Sequence, residues 1–297
     1  KYNLHDKLIN LSNGTTFKYG KYTIPCCKEC NQALGDILEI PVCEWLKQPY
    51  KVITEQILQD NNKLFLLFQW LGLIFFKTHL KDKTLNVNLD LRKGNEKIAD
   101  LYDWEEMHHL HCIVRSHYTG AQISSKVIGS VLILRAIENT YFESFDFADN
   151  KAAQTIMLRL NEFCIIAVLN DSCGSLNLFW EDFQKIDGAL TPLQLREVFA
   201  HITYLNLHLK ERPIYSSKFR YLPTIKSIEY KIDAKLPEKV ELSSEADRII
   251  TFGEILYANL KDIIENEHTP TELVEQVKKG EYTFLFDQNG KFRNYEE

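Results

Sequence analysis

Thr23-Ile-Pro-Cys-Cys-Lys-Glu-Cys-Asn31 sets Cys27 and Cys30 three residues apart, behind a β-branched, proline-bearing approach and ahead of a run of helix formers. That spacing turns a chain tightly from strand into helix and aims two thiolates at one point. It suits a tetrahedral zinc ion, which takes two ligands from one knuckle and two from elsewhere. Cys27 and Cys30 are therefore candidate ligands for a structural Zn2+. The sequence holds no second Cys-x-x-Cys, and Cys26 and Cys43 are the spare thiols nearby. A thioredoxin-type redox pair would need a βαβ setting, which the neighbouring sequence lacks. Two buried, unliganded cysteines beside a turn are the remaining alternative.

Upstream of the knuckle, Ser12-Asn13-Gly14 is a turn signal between Leu8-Ile-Asn-Leu11 and the alternating Phe17–Ile24 stretch, which predicts a pair of strands. Downstream, a short helix is expected over 28–38, with Pro41 and Pro49 bracketing its exit. Residues 1–48 thus read as a small cysteine-bearing domain with little apolar surface of its own to bury. Residues 49–297 read as a larger, helix-rich α+β domain. Helices are expected there over 52–59, 62–80 (capped by Asn61 or Asn62), 103–115 and 244–267. Another is expected over 191–210, with Thr191 as N-cap and Pro192 at the first helical position. Strands are expected over 126–137, 142–147 and 163–169, and a turn at Asp171-Ser-Cys-Gly174. The tract 210–239 reads as a basic loop, Thr269-Pro-Thr-Glu272 as a capping box, and the C-terminal segment as a hairpin turning at Asn289-Gly290. The class that follows is α+β, helix-dominated.

A chain of 297 residues with 45% hydrophobic and 26% charged residues has the composition of a folded globular protein. The formal charge of −6 does not announce a nucleic-acid binder. A local basic patch can still bind, because charges farther off than a Debye length of about 8 Å are screened. Seven cysteines, three of them within five positions, do not make a disulfide framework, and Lys1-Tyr-Asn-Leu-His5-Asp6 has no apolar leader pattern. A reducing cytoplasm is expected, with no membrane partner. The longest apolar run, Leu64 to Phe76, is thirteen residues and falls short of the roughly 20 that span a bilayer; it reads as a buried helix. The sequence contains no phosphate-binding Gly-rich loop, dinucleotide fingerprint, nucleophile elbow or His-Glu-x-x-His pair.

Ile24-Pro-Cys-Cys-Lys-Glu-Cys-Asn31 resembles the closing half of an HNH (His-Me finger, treble-clef) endonuclease finger. The longer stretch from Leu11-Ser-Asn-Gly-Thr-Thr16 to Asn31 is similar to bacterial HNH-like proteins, some of them found in phage-defence settings. The likeness covers about the first 40 residues. It implies a zinc-stapled finger and metal-dependent hydrolysis of phosphodiester bonds in nucleic acid, DNA being the expected substrate, with Mg2+ or Mn2+ as the catalytic ion. It also implies a His as base, a mid-loop Asn that orients it, and a closing His or Asn that helps hold the metal. On this chain Asn31 is the closing position and Asn13 the middle one, with Asn10 as its alternative. His5 is the only histidine ahead of the knuckle. Asn3-Leu4-His5-Asp6 departs from the family pattern, in which the His follows an acidic residue or another His. Because the chain opens on Lys1 inside what reads as an element, the base and the second ligand pair are expected upstream.

Three further groups carry chemistry. On a helix, His108, His111 and Cys112 share one face that Arg115 continues; this is a polar seam, a substrate-facing patch or a transition-metal site. Lys77 to Lys97 is a first basic stretch. Lys210, Arg212, Lys218, Arg220 and Tyr221 form a second, interleaved with Tyr215 and Phe219, and cations among aromatics suit phosphates and unstacked bases. Asp171, Asp182 and Asp187 have no paired spacing and no assigned role. Two functions follow from different classes. One is an HNH-type nuclease. The other is a non-catalytic nucleic-acid- or protein-binding regulator whose zinc finger only folds the N-terminus.

Overall fold

A stretch as apolar as Leu64 to Phe76, broken only by Gln69 and Gly72, has to be enclosed by other elements, and the fold is arranged accordingly. The computed structural model describes residues 8–10, 16–18, 21, 23–88, 90–138, 144–224, 227–244, 250–265 and 269–295. It is α+β with helix dominant, 49% against 20% strand. Two compact units make it up, each discontinuous in sequence. The first takes residues 1–49, 56–123 and 217–232, and the second takes 50–55, 124–216 and 233–297.

Strands β1 (Leu8–Asn10) and β2 (Thr16–Lys18) pair antiparallel with Asn10 opposite Thr16. The turn that joins them, with Asn13, and the segment holding His5 lie outside the described residues. Helix α1 (Lys28–Leu34) does not end before Pro41. It runs through a π turn (Gly35–Glu39) into α2 (Ile40–Trp45). Proline lacks an N–H and crowds the carbonyl one turn back, and the wider π turn, with the Ile40 N–H on the Gly35 carbonyl, makes room for it. Helix α3 (Tyr50–Gln59) follows Pro49. Helix α4 (Asn61–Lys81) is capped by neither expected asparagine; the Asp60 carboxylate takes the Asn62 N–H at 2.9 Å. Helix α5 (His108–Thr119) starts about a turn later than expected and ends on Gly120 at φ 65°, a left-handed position that costs glycine little. Leu34, Leu38, Leu73 and Val114 bring α1, the π turn, α4 and α5 into one cluster.

By length and mean hydropathy (1.2), Asn61–Thr84 could cross a bilayer, yet half of that stretch is buried inside the protein. Its amide Gln69 is buried and donates from Nε2 to the Ile113 carbonyl (3.2 Å) and to Ser116 Oγ (2.9 Å). That is the arrangement of a core helix, whose polar groups are satisfied by protein partners.

After β3 (Gln122–Ile123), the second unit forms an antiparallel sheet of β4 (Val131–Arg135), β5 (Phe145–Asn150), β6 (Thr155–Leu160) and β7 (Phe163–Val168), in the order β4-β7-β6-β5. Strand β6 was not anticipated. Thr-Ile-Met-Leu-Arg-Leu is covered on both faces, so it lacks the alternation of a half-buried strand. Its Arg159 is 1% exposed, with the guanidinium on the carbonyls of Ile137 (2.7 Å) and Asn161 (3.1 Å). The turn at Asp171 leads into an unanticipated helix, α6 (Gly174–Phe183), through Ser172 and Cys173 at φ 48° and 68°. Asp171 explains why that turn holds: its buried carboxylate accepts from Ser130 N (2.7 Å), Ser130 Oγ (2.6 Å) and Ser175 N (2.8 Å).

Helix α7 (Pro192–Leu207) begins with the Thr191–Gln194 capping box. Leu195, Val198, Phe199 and Ile202 pack against the sheet. The expected basic loop is instead two strands, β8 (Ile214–Leu222) and β9 (Ser227–Lys235). With β3 they make a sheet ordered β3-β9-β8, in which Ile123 sits opposite Ile232 in parallel register. Helix α8 (Phe252–Ile264) starts at the Thr251–Glu254 capping box, later than the expected Ser244. Helix α9 (Thr271–Lys279) is entered from Pro270 with no side-chain cap, so the box expected at Thr269 does not form. Ala200 of α7, with Leu256 and Leu260 of α8 and Val277 of α9, forms a second core. The C-terminal turn closes on a single bridge, Phe286 with Phe292, and the Asp287 carboxylate accepts from Asn289 N (2.8 Å) and Lys291 N (2.9 Å).

A buried acid of α7 helps hold the C-terminal segment. Glu197 accepts from Thr283 Oγ1 (2.6 Å), Phe284 N (2.6 Å) and Leu285 N (3.1 Å). Glu197→Ala leaves these donors unpaired in the interior and is expected to cost about 3 kcal/mol in urea unfolding, with Glu197→Gln losing less. A loss below about 0.5 kcal/mol, the range of ordinary surface changes, contradicts that role.

Candidate nucleic-acid interface and cysteine knuckle

Cys27 is the N-cap of α1, in extended conformation, and its Sγ accepts the Cys30 N–H at 3.3 Å. Sulfur here does what a Ser or Asp oxygen does at most helix starts. The Asn31 N–H donates to the Cys27 carbonyl at 2.9 Å, so Asn31 closes the first turn, with its side chain exposed. Cys26 and Cys27 are exposed and Cys30 is half-buried. The Cys30 thiol is held above its ordinary range chiefly by its hydrogen bond with the Cys27 side chain. Two long contacts position this loop. Lys81 Nζ at the end of α4 donates to the Thr23 carbonyl (2.8 Å), and Tyr118 Oη on α5 donates to the Cys30 carbonyl (2.8 Å).

Two thiols in this relation fit half of a zinc site. Among the described residues no three His, Cys, Asp or Glu side chains converge in a way that could hold a metal ion, so these residues alone do not close a tetrahedral set. His5 and Asn13, the other candidate finger positions on this chain, fall outside them.

The α5 cluster is a polar seam. Cys112 Sγ lies 3.4 Å from His108 Nε2, and His111 stacks on Phe76 at 5.7 Å. Burial, then the charge of Arg115, pushes the His111 proton affinity down, and burial raises the Cys112 thiol. Ser217 of β8 lies beside the Cys112 side chain and offsets part of that rise, which sets α5 against the β8–β9 ribbon.

The five candidate nucleic-acid contacts fall in both units. Lys210 and Arg212 belong to the second. Lys210 Nζ pairs with Glu241 at 2.6 Å, and the Arg212 guanidinium donates to the Asn206 carbonyl and side chain at the end of α7. Lys218, Arg220 and Tyr221 belong to the first and stand exposed on β8 beside Phe219. Sequence reasoning missed Ile228 and Tyr230 on β9, although the alternating Ile228-Glu-Tyr-Lys-Ile-Asp-Ala234 is a strand signal. It also missed Tyr118, and it placed Lys81 only in the first basic stretch; the local sequence holds no cue to the contacts either makes with the knuckle.

Comparison of the chain with known protein families, curated proteins and solved structures finds no match in any of the three. The functional reading therefore rests on the residues themselves.

Two outcomes are expected. Tyr118→Phe removes one bond to the knuckle, costs about 1 kcal/mol and speeds hydrogen exchange at the Cys30 and Asn31 amides while amides in α7 keep their protection; unchanged exchange at the knuckle would dismiss the contact. His111 is harder to protonate folded than unfolded, so the unfolded state takes up the extra proton. Stability then falls as pH drops below about 6.5. His111→Phe, which keeps the stack on Phe76, should flatten that fall in urea midpoints measured from pH 8 to 5; an unchanged slope refutes the assignment.

Proposed function

We propose that the chain is an HNH-type, metal-dependent endonuclease of the cytoplasm acting on DNA, with Cys27 and Cys30 as part of a structural zinc staple and Asn31 as the closing position of the catalytic finger. The observation that carries this reading is the order of elements: an antiparallel pair, β1 and β2, followed by a helix that opens on Cys27-x-x-Cys30-Asn31 with a sulfur cap. The resemblance of the same residues to the HNH finger implies that order. Phosphodiester hydrolysis needs a base for the attacking water, and a bound Mg2+ or Mn2+ supplies charge to the phosphate oxygens. The chain's own part is positional. Tyr118 and Lys81 hold the loop, the cysteines fix the start of the helix, and Asn31 stands exposed in its first turn. His5 and Asn13 stay the candidates for base and orienting group, and a phage-defence role is the setting the resemblance favours.

A non-catalytic reading is favoured by one observation, the exposed cationic and aromatic strand β8, which would serve a binding protein equally well. Plasmid nicking by the protein expressed from its full reading frame separates the two. With Mg2+ or Mn2+ we expect nicking that falls about 100-fold or more in Asn31→Ala, and a bound zinc that Cys27→Ser releases. Equal nicking by Asn31→Ala removes its role, and binding without nicking in either ion establishes the regulator instead.

A further inference from the structure

We infer that the β8–β9 ribbon of the first unit is a platform for single-stranded nucleic acid, with bases stacked on Phe219 and Tyr221 and phosphates met by Lys218 and Arg220. This deepens the nucleic-acid part of the proposed function and rests on it, but not on cleavage. The ribbon presents large apolar groups to solvent: Phe219 is 76% exposed, Tyr221 58%, Ile228 48% and Tyr230 39%. Side chains alternate along a strand, so Phe219 and Tyr221 share one face of β8. Ile228 and Tyr230 share one face of β9, in line with the buried Ile232 and Ala234 of the same strand. The apolar face of β9 thus continues beyond what the fold covers.

An edge strand often carries cations to prevent sheet-to-sheet pairing, and β8 is the edge of its sheet. Edge protection accounts for Lys218 and Arg220 but not for two exposed rings between and beside them, which increase the hazard that the cations would reduce. Charge decides the occupant. The chain is acidic, at −6, whereas neither Lys218 nor Arg220 is paired with an acid among the described residues; Lys210, by contrast, is paired with Glu241. By the same alternation Lys218 and Arg220 stand on the face of β8 opposite the rings; on an edge strand their long side chains can reach the open rim, where the phosphates of a strand stacked on Phe219 and Tyr221 would lie. Rings can stack only on bases that are free of a duplex, which selects the single strand.

Fluorescence anisotropy without added Mg2+ or Mn2+, with a labelled 20-nucleotide oligothymidylate and a 20-base-pair duplex, tests this without cleavage and leaves a structural zinc in place. The single strand should bind at least ten-fold more tightly than the duplex. Phe219→Ala and Tyr221→Ser should each weaken single-strand binding about ten-fold, while Tyr221→Phe, which keeps the ring, should retain it. Lys218→Ala and Arg220→Ala should each reduce the slope of log K against log salt by about 0.7. These side chains are exposed, and unchanged circular dichroism verifies the fold. Duplex bound as well as single strand, or indifference to ring removal, overturns the inference. So does a dimer that dissociates on ring removal with oligonucleotide binding unaltered, since the occupant is then a second copy. A protein that binds through the ribbon but never nicks keeps this inference and loses the nuclease. One that nicks through Asn31 yet ignores ribbon substitutions does the reverse.

Discussion

The seam between α4 and α5 is the constraint on which the first unit depends. Gln69 lies in the long apolar helix α4, and its buried amide has partners only if Ile113 and Ser116 of α5 stand opposite it. An unpaired amide there would cost a few kcal/mol, so the seam fixes the register of α5 as well as its contact. Once α5 is fixed, its end and flank place the knuckle and the ribbon. Tyr118 holds the Cys30 carbonyl, Val114 packs with Leu34 and Leu38 behind the knuckle, and Cys112 meets Ser217 of β8. Beyond Gly120 the chain continues as β3, which pairs with β9. Knuckle and ribbon therefore share one support.

The second unit is built around α7, which is buried toward the sheet on one side and toward α8 and α9 on the other. Its interior polar groups are used in construction: Gln194 donates to the Phe284 and Arg293 carbonyls, and Glu197 accepts from Thr283, Phe284 and Leu285. The thiols of this unit are structural too. Burial, then Asp171, pushes Cys173 up to about 11, and it donates to the Gly129 carbonyl at 3.4 Å. Burial drives Cys164 higher still. Thiols held protonated at neutral pH are poor nucleophiles, so the left-handed turn at Ser172 and Cys173 serves the entry to α6.

Elements with local signals were legible in the sequence, and those set by distant contacts were not. Thr191-Pro-Leu-Gln194 carries its cap, its proline and its reciprocal glutamine within four residues, and α7 starts there. β6 was hidden because burial on both faces removes alternation. α6 was hidden because two left-handed non-glycine residues precede it. The 210–239 tract was mistaken for a loop because its charges stand on strands with a solvent-facing side. At the candidate site, the Cys27–Cys30 spacing is a local signal, while Asn31 is singled out only by the resemblance. Lys81 and Tyr118, which hold the knuckle from 58 and 88 residues away, become visible only when the helices are packed.

We propose that nucleic acid engages the first unit, at the knuckle and along the ribbon. Photocrosslinking of a bromodeoxyuridine-substituted single strand, with the attached peptides located by mass spectrometry, tests it most directly. The account predicts crosslinks on the peptides holding Phe219 and Tyr221, joined by those around Asn31. Crosslinks confined to α7, α8 and α9, or none at saturating oligonucleotide, would contradict it.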